Sequence, residues 1–182
     1  MDNGAQSQTP GTRTVNKWNT ISLIGMPGAG KSTVGVILAK QTGLRFVDTD
    51  LDIQVREEAT LQEILETHGY RHLREIEHEV LMEISLDHAL VSTGGSVVYS
   101  EDAMARLKGA GPVVYLEADL ASLEQRVASA PLRGIASDSA QGYAEVYAER
   151  TPLYERYADI RVNACAGTAD QVAFTILEQL NN

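Results

Sequence analysis

Gly25-Met26-Pro27-Gly28-Ala29-Gly30-Lys31-Ser32 fits the pattern G-x-x-x-x-G-K-[ST], with the apolar run Ile21-Ser22-Leu23-Ile24 before it and a helical pattern over residues 32–42 after it. Strand, glycine-rich loop and helix in that order make a phosphate-binding loop. Its glycines let successive backbone N–H groups turn inward around an anion, and the following helix adds the partial positive charge of its N-terminus. Gly28, Ala29, Gly30, Lys31, Ser32 and Thr33 are therefore the expected nucleotide contacts. Lys31 is expected to bridge the β- and γ-phosphates of ATP, and the Ser32 hydroxyl to ligate Mg²⁺.

Working outward, short apolar runs recur at Arg45-Phe46-Val47, Ala89-Leu90-Val91-Ser92, Pro112-Val113-Val114-Tyr115-Leu116 and Ile160-Arg161-Val162. Helical periods lie between them, over residues 51–55, 61–68, 70–84, 101–108, 120–128, 143–157 and 169–180. Strands separated by helices imply an α/β domain whose mostly parallel sheet is covered on both faces. In the helix over 70–84, Leu73, Ile76, Val80 and Ile84 form a core stripe, and Arg74 and Glu77 lie off it, able to face a cleft. Residues 129–142, rich in Ala, Ser and Gly between two helices, read as a lid. Residues 1–19 carry few large apolar side chains and read as a disordered leader to a single domain over 20–182.

A formal charge of −10 with no run of Lys or Arg argues against a nucleic-acid or membrane-surface partner, so the phosphate must be met at one local site. The lone Cys165 forms no internal disulfide, as a reducing compartment leads one to expect. No apolar stretch approaches the roughly 20 residues that span a bilayer. The expectation is a soluble, cytoplasmic monomer acting on a small molecule. His68, His72, His78 and His88 show no metal-site spacing.

Asp48-Thr49-Asp50 ends the second strand, where an open parallel sheet places its ligands. One acid can join the Mg²⁺ shell while the other accepts a hydrogen bond, and a proton, from the attacking hydroxyl. The competing reading makes Asp50 a helix cap. Ser92-Thr93-Gly94-Gly95 ends the third strand, where paired glycines let backbone approach a ligand or simply form a tight turn. Arg74, Arg126, Arg133 and Arg150 stand in helical or lid sequence, and arginine's planar fork suits carboxylates and phosphates.

Taken in order, these motifs resemble the shikimate kinase family. The phosphate loop, Phe46-Val47-Asp48-Thr49-Asp50, the stretch from Gly69 to Glu77, Ser92-Thr93-Gly94-Gly95 and Arg150-Thr151-Pro152-Leu153-Tyr154 fall where that family has its loop, D-x-D strand, G-E-x-x-F-R-x-x-E helix, triple glycine and R-x-P-L-Y segment. The resemblance implies a five-stranded parallel sheet in the order 2-3-1-4-5, an acceptor-binding insertion over about 50–88 and a closing lid. It also implies Lys31 and Asp50 as catalytic, Ser32 and Asp48 around Mg²⁺, and Arg126 on the adenine side. Asp50, Arg74, Gly94, Gly95 and Arg150 would hold the acceptor, with ATP as donor and shikimate as leading acceptor. The same clamp suits another hydroxy acid such as homoserine, and a regulatory nucleotide-binding protein would keep the loop without turnover. Three positions depart from the pattern: Ser96 replaces the third glycine, Tyr70 the first glutamate, and Ala130 the lid arginine, with Arg133 three residues along. Ser96 is expected to crowd a rigid ring at the acceptor site.

Overall fold

The computed structural model describes residues 17–129 and 141–182. The expected strands are β1 (Thr20–Ile24), β2 (Arg45–Asp48), β3 (Ala89–Ser92), β4 (Val113–Glu117) and β5 (Ile160–Asn163). They pair in parallel in the order β2-β3-β1-β4-β5. Every residue of β1 and β3 is buried, which is why central strands read as unbroken apolar runs rather than alternating ones. The edge strands carry exposed Arg45 and Arg161, charges that discourage further strand pairing.

From β1 to β2 the chain moves toward one edge, and from β3 to β4 and β5 toward the other. Right-handed crossovers then send the connecting helices to opposite faces. Helix α1 (Lys31–Thr42) packs on β3 and on α7 (Ala169–Asn181), while α4 (Glu101–Ala110) packs on β1 and α6 (Tyr143–Tyr157) on β4. The loops leaving β1 and β3 therefore diverge, and a crevice opens between them at the carboxyl edge of the sheet.

Helices α2 (Thr49–Glu57) and α3 (Leu61–Glu83) form the insertion, and α5 (Leu120–Ala128) follows β4. The two helices expected over 61–84 are one element broken at Gly69, whose φ of 81° and ψ of 171° suit glycine alone. A capping box between Thr60 and Glu63 starts α3. Ile53, Ile64, Leu73, Ile76 and Val80 make a small core separate from that of the sheet. Ile84 ends the stripe half-buried, at the C-cap, touching both cores.

Of the residues expected in the leader, Trp18 and Asn19 make contacts with the fold. Trp18 packs on the main core and donates from Nε1 to Leu180 O at 3.3 Å. Asn19 O accepts from Ala89 N at 3.1 Å, extending the pairing beside β1. One tryptophan outweighs the polar composition around it, because its large apolar surface finds a groove to fill. Leader residues 1–16, and lid residues 130–140 with Ala130 and Arg133, lie outside the described residues. A 3-10 turn, Val97–Tyr99, was not expected from periodicity, since three residues are too few to show one.

Helix α1 approaches the sheet through Gly35, where an added Cβ would sit 2.7 Å from Phe46 Cε2 and 3.1 Å from Leu90 Cδ2. Alanine would gain about 1 kcal/mol in helix propensity, and overpacking costs typically about 1–3 kcal/mol. Phe46 is half-buried and can swing aside, whereas Leu90 is fully buried. Gly35→Ala is thus expected to be near neutral and Gly35→Val to lose about 2 kcal/mol or more, read from urea denaturation midpoints.

Candidate active site

The crevice is a cleft of about 400 Å³ that runs from the phosphate loop to the ends of β2 and β3. At one end, Gly28 and Gly30 adopt φ of 88° and 94°, and Gly30 caps α1 with no side-chain hydrogen bond. The first N–H groups of α1 are thereby left for an anion. Lys31 is buried, and its Nζ donates to Gly25 O at 2.8 Å and Met26 O at 3.0 Å. Ser32 Oγ lies 3.4 Å from Ser92 Oγ, which joins the loop after β1 to the end of β3.

Arg126, on α5, donates to Gly28 O at 3.4 Å and Ala164 O at 3.1 Å. It ties the phosphate loop to the β5–α7 turn, whose Ala164 and Gly167 line the cleft with Ala169 and Val172 of α7. Sequence reasoning missed this wall: small residues carry no chemical signature.

At the other end, the two acids of Asp48-Thr49-Asp50 separate in role. Asp48, not Asp50, is the N-cap of α2, accepting from Asp50 N at 3.1 Å. Capping takes one oxygen of Asp48 and leaves Asp50, in the first turn, to line the cleft. Thr49 is buried, and its Oγ1 accepts from Gly94 N at 3.0 Å. Gly94 and Gly95 are required for space: a Cβ on Gly94 would collide with Glu77 Oε1 and lie 3.1 Å from Asp50 Oδ1, and one on Gly95 would lie 2.8 Å from Pro27 Cδ. Although they lead to opposite faces of the sheet, the loops after β1 and β3 thus meet at Pro27 and Gly95.

Arg150 and Tyr154, four residues apart on one face of α6, both point here. Tyr154 donates to Gly95 O at 2.5 Å, and Arg150, 1% exposed, lines the cleft. Burial pulls the Arg150 pKa down, but Tyr154, Tyr99 and Glu77 more than offset it and hold the guanidinium charged. Arg74 does not line this cleft. It opens on an adjoining cavity of about 430 Å³ that shares Glu77 and Ser96 with it.

Glu77 joins the two cavities. It is buried, and the side chain of Ser96 donates to its Oε2. Desolvation and then Asp50 push its carboxyl up to about 8, against the pull of Arg150, Arg74 and Lys31. The sequence placed Glu77 off the core stripe but gave it no role. Ser96, expected to crowd the acceptor, lines the cleft and turns its hydroxyl to this carboxyl.

The geometry can be set beside known proteins. The family model described as shikimate kinase matches residues 27–181. The chain belongs to the shikimate kinase family. The shikimate kinase of Mycobacterium avium (strain 104) is 41% identical over 144 residues, 78% of this chain and 81% of its own. That of Histophilus somni (strain 2336) is 34% identical over 166 residues, 89% of this chain and 95% of its own. The structure of shikimate kinase from Acinetobacter baumannii in complex with shikimate matches with a TM-score of 0.80 and 30% identity, over 91% of this chain and 94% of that one.

Folded, Glu77 holds its proton up to about 8; unfolded, it releases it near 4.5. Between those values the native state binds more protons than the unfolded one, so this group's stabilising contribution falls as pH rises. Glu77→Gln is expected to remove that slope. Urea midpoints of both proteins across this range should show the wild type losing ground to the variant as pH increases.

Proposed function

We propose that this chain transfers the γ-phosphoryl group of ATP to a hydroxyl of shikimate, giving shikimate 3-phosphate for aromatic amino-acid biosynthesis. The observation that carries this reading is the continuity of the cleft: Lys31 and the phosphate loop lie at one end, and Asp50, Glu77, Gly95 and Arg150 at the other. A triphosphate and a small hydroxy acid can meet inside it. The Acinetobacter baumannii relative that shares this fold is a complex with shikimate.

The residues divide the work by what each can reach. Backbone N–H groups of 28–33 and Lys31 hold the phosphates, with Lys31 leaving the Gly25 and Met26 carbonyls to do so. Arg126, with Ala164 and Gly167, bounds the adenine side. Arg150 and Arg74 receive the acceptor carboxylate beside the Gly94 and Gly95 backbone, which orients the ring. Asp50 takes the proton of the attacking hydroxyl as its oxygen bonds to the γ-phosphorus and the bond to the bridging oxygen of ADP breaks. Oxygen donors suit Mg²⁺, and Ser32 with Asp48 would hold it; when bound it neutralises phosphate charge. Residues 50–88 act as the acceptor-binding part of one kinase domain, with its own small core to stiffen it.

Among the described residues no helix is long and apolar enough to cross a membrane. The acidic surface supports a cytoplasmic monomer that binds no nucleic acid.

ADP release measured against a panel of hydroxy acids tests the assignment: shikimate is expected to be used far better than homoserine or any other acyclic acid, and the reverse order would overturn it. Lys31→Ala is expected to lose essentially all turnover with its circular dichroism unchanged. Asp50→Asn should lower kcat far more than it raises the KM for ATP, whereas Asp48→Asn should shift the Mg²⁺ dependence.

Arg150→Ala should raise the shikimate KM by roughly tenfold or more, since a charge-assisted pair contributes about 1.5–3 kcal/mol. The amide of shikimate should bind wild type as weakly as shikimate binds that variant. An amide used as well as the acid would remove the clamp.

A further inference from the structure

Arg74 and Arg150 both interact with the Glu77 and Glu149 carboxylates, and something must also fill the place between the two guanidinium groups. Tyr99 occupies that place. The centre of its ring lies 3.9 Å from Arg74 Cζ and 5.3 Å from Arg150 Cζ, and its hydroxyl accepts from Arg150 Nε at 3.3 Å. Glu149 bonds the same hydroxyl, so one phenol links α3, α6 and the turn after β3. Tyr70 flanks Arg74 with its ring centre 5.1 Å from Cζ. Tyr99 ends the 3-10 turn Val97–Tyr99, which is packed by both α3 and α6, the helices that carry the two arginines.

We propose that Tyr99 is a positioning residue of the acceptor site: its ring face and hydroxyl align Arg74 and Arg150 as a pair for one substrate carboxylate. This rests on the acceptor reading above. An aromatic face attracts cations without neutralising them, so the pair is gathered while its charge stays available to an anion. Arg74, which opens on the adjoining cavity, is kept by the ring beside the wall of Glu77 and Ser96 that the two cavities share. The carboxylate end of the acceptor is remote from the reacting hydroxyl. Misalignment here weakens ground state and transition state alike, which raises KM and spares kcat.

Steady-state kinetics of Tyr99→Phe and Tyr99→Leu, with melting curves as a check on folding, test this. Tyr99→Leu should raise the shikimate KM by roughly 3- to 30-fold, and Tyr99→Phe, which keeps the ring, by about 2- to 5-fold. The KM for ATP and kcat should stay within about twofold in both. In an Arg74→Ala background, Tyr99→Leu should add less than it does alone, because it acts through the residue already removed. A shikimate KM unchanged in the Phe variant, equal rises in both KM values, or full additivity with Arg74→Ala would each overturn the role. If Tyr99→Leu does not fold, the Phe variant and its combination with Arg74→Ala decide. Absence of shikimate turnover by the unmodified protein overturns the substrate reading instead, and the same variants are then read on whichever carboxylate-bearing acceptor the panel returns.

Discussion

Lys31, Glu77 and Arg150 are buried side by side at the carboxyl edge of the sheet, with Asp50 and Arg74 at their margin. Charges withdrawn from water cost several kcal/mol each unless opposite charges and hydrogen bonds answer them. That constraint orders the site before any ligand binds. Whether Glu77 is protonated or ionised changes the charge of this cluster by one, and Glu149 also acts on both arginines. Glu77, held up to about 8, is the member whose proton adjusts this balance. Retaining the proton leaves the cleft more positive, which suits the arrival of a triphosphate and a carboxylate together.

A cluster of this kind needs a stiff frame, since a loop that yields would let water in and separate the charges. The frame is built from short ties between elements. Tyr154 holds Gly95 O, Tyr143 holds Pro27 O at 2.6 Å, Thr49 holds Gly94 N, and Thr93 reaches Leu23 O at 2.9 Å through its hydroxyl. Two of the four come from α6, the helix that also carries Arg150. The phosphate loop and the acceptor loop are thus positioned by one helix, which couples the two halves of the cleft mechanically. Tyr154 stacks on Tyr115 of β4, with ring centres 5.1 Å apart, and so passes that positioning into the core of the sheet.

The strands and most helices were legible in the sequence because burial on both faces leaves unbroken apolar runs, and the phosphate loop was legible because its spacing follows from its mechanism. The division between Asp48 and Asp50 was not: both read as acids at a strand end, and only the start of α2 at Thr49 makes Asp48 the cap. Glu77 escaped because a charged residue beside an apolar stripe normally faces solvent, and nothing local announces that a distant loop will cover it. Tyr99 escaped for a related reason. Its partners come from helices about 25 and 51 residues away in sequence, so its environment is a property of the fold and not of its neighbours.

The two described departures from the family pattern, Tyr70 and Ser96, fall around the same pair of groups. Tyr70 places an aromatic face beside Arg74, which also interacts with Glu77 and Glu149. Ser96 replaces a glycine with a hydroxyl that donates to the buried Glu77 carboxyl. One change alters what faces Arg74, and the other what faces Glu77, which keeps its proton up to about 8. The pair therefore alters the neighbours of one connected cluster rather than of two separate sites, and an acceptor carboxylate would still meet two charged guanidinium groups.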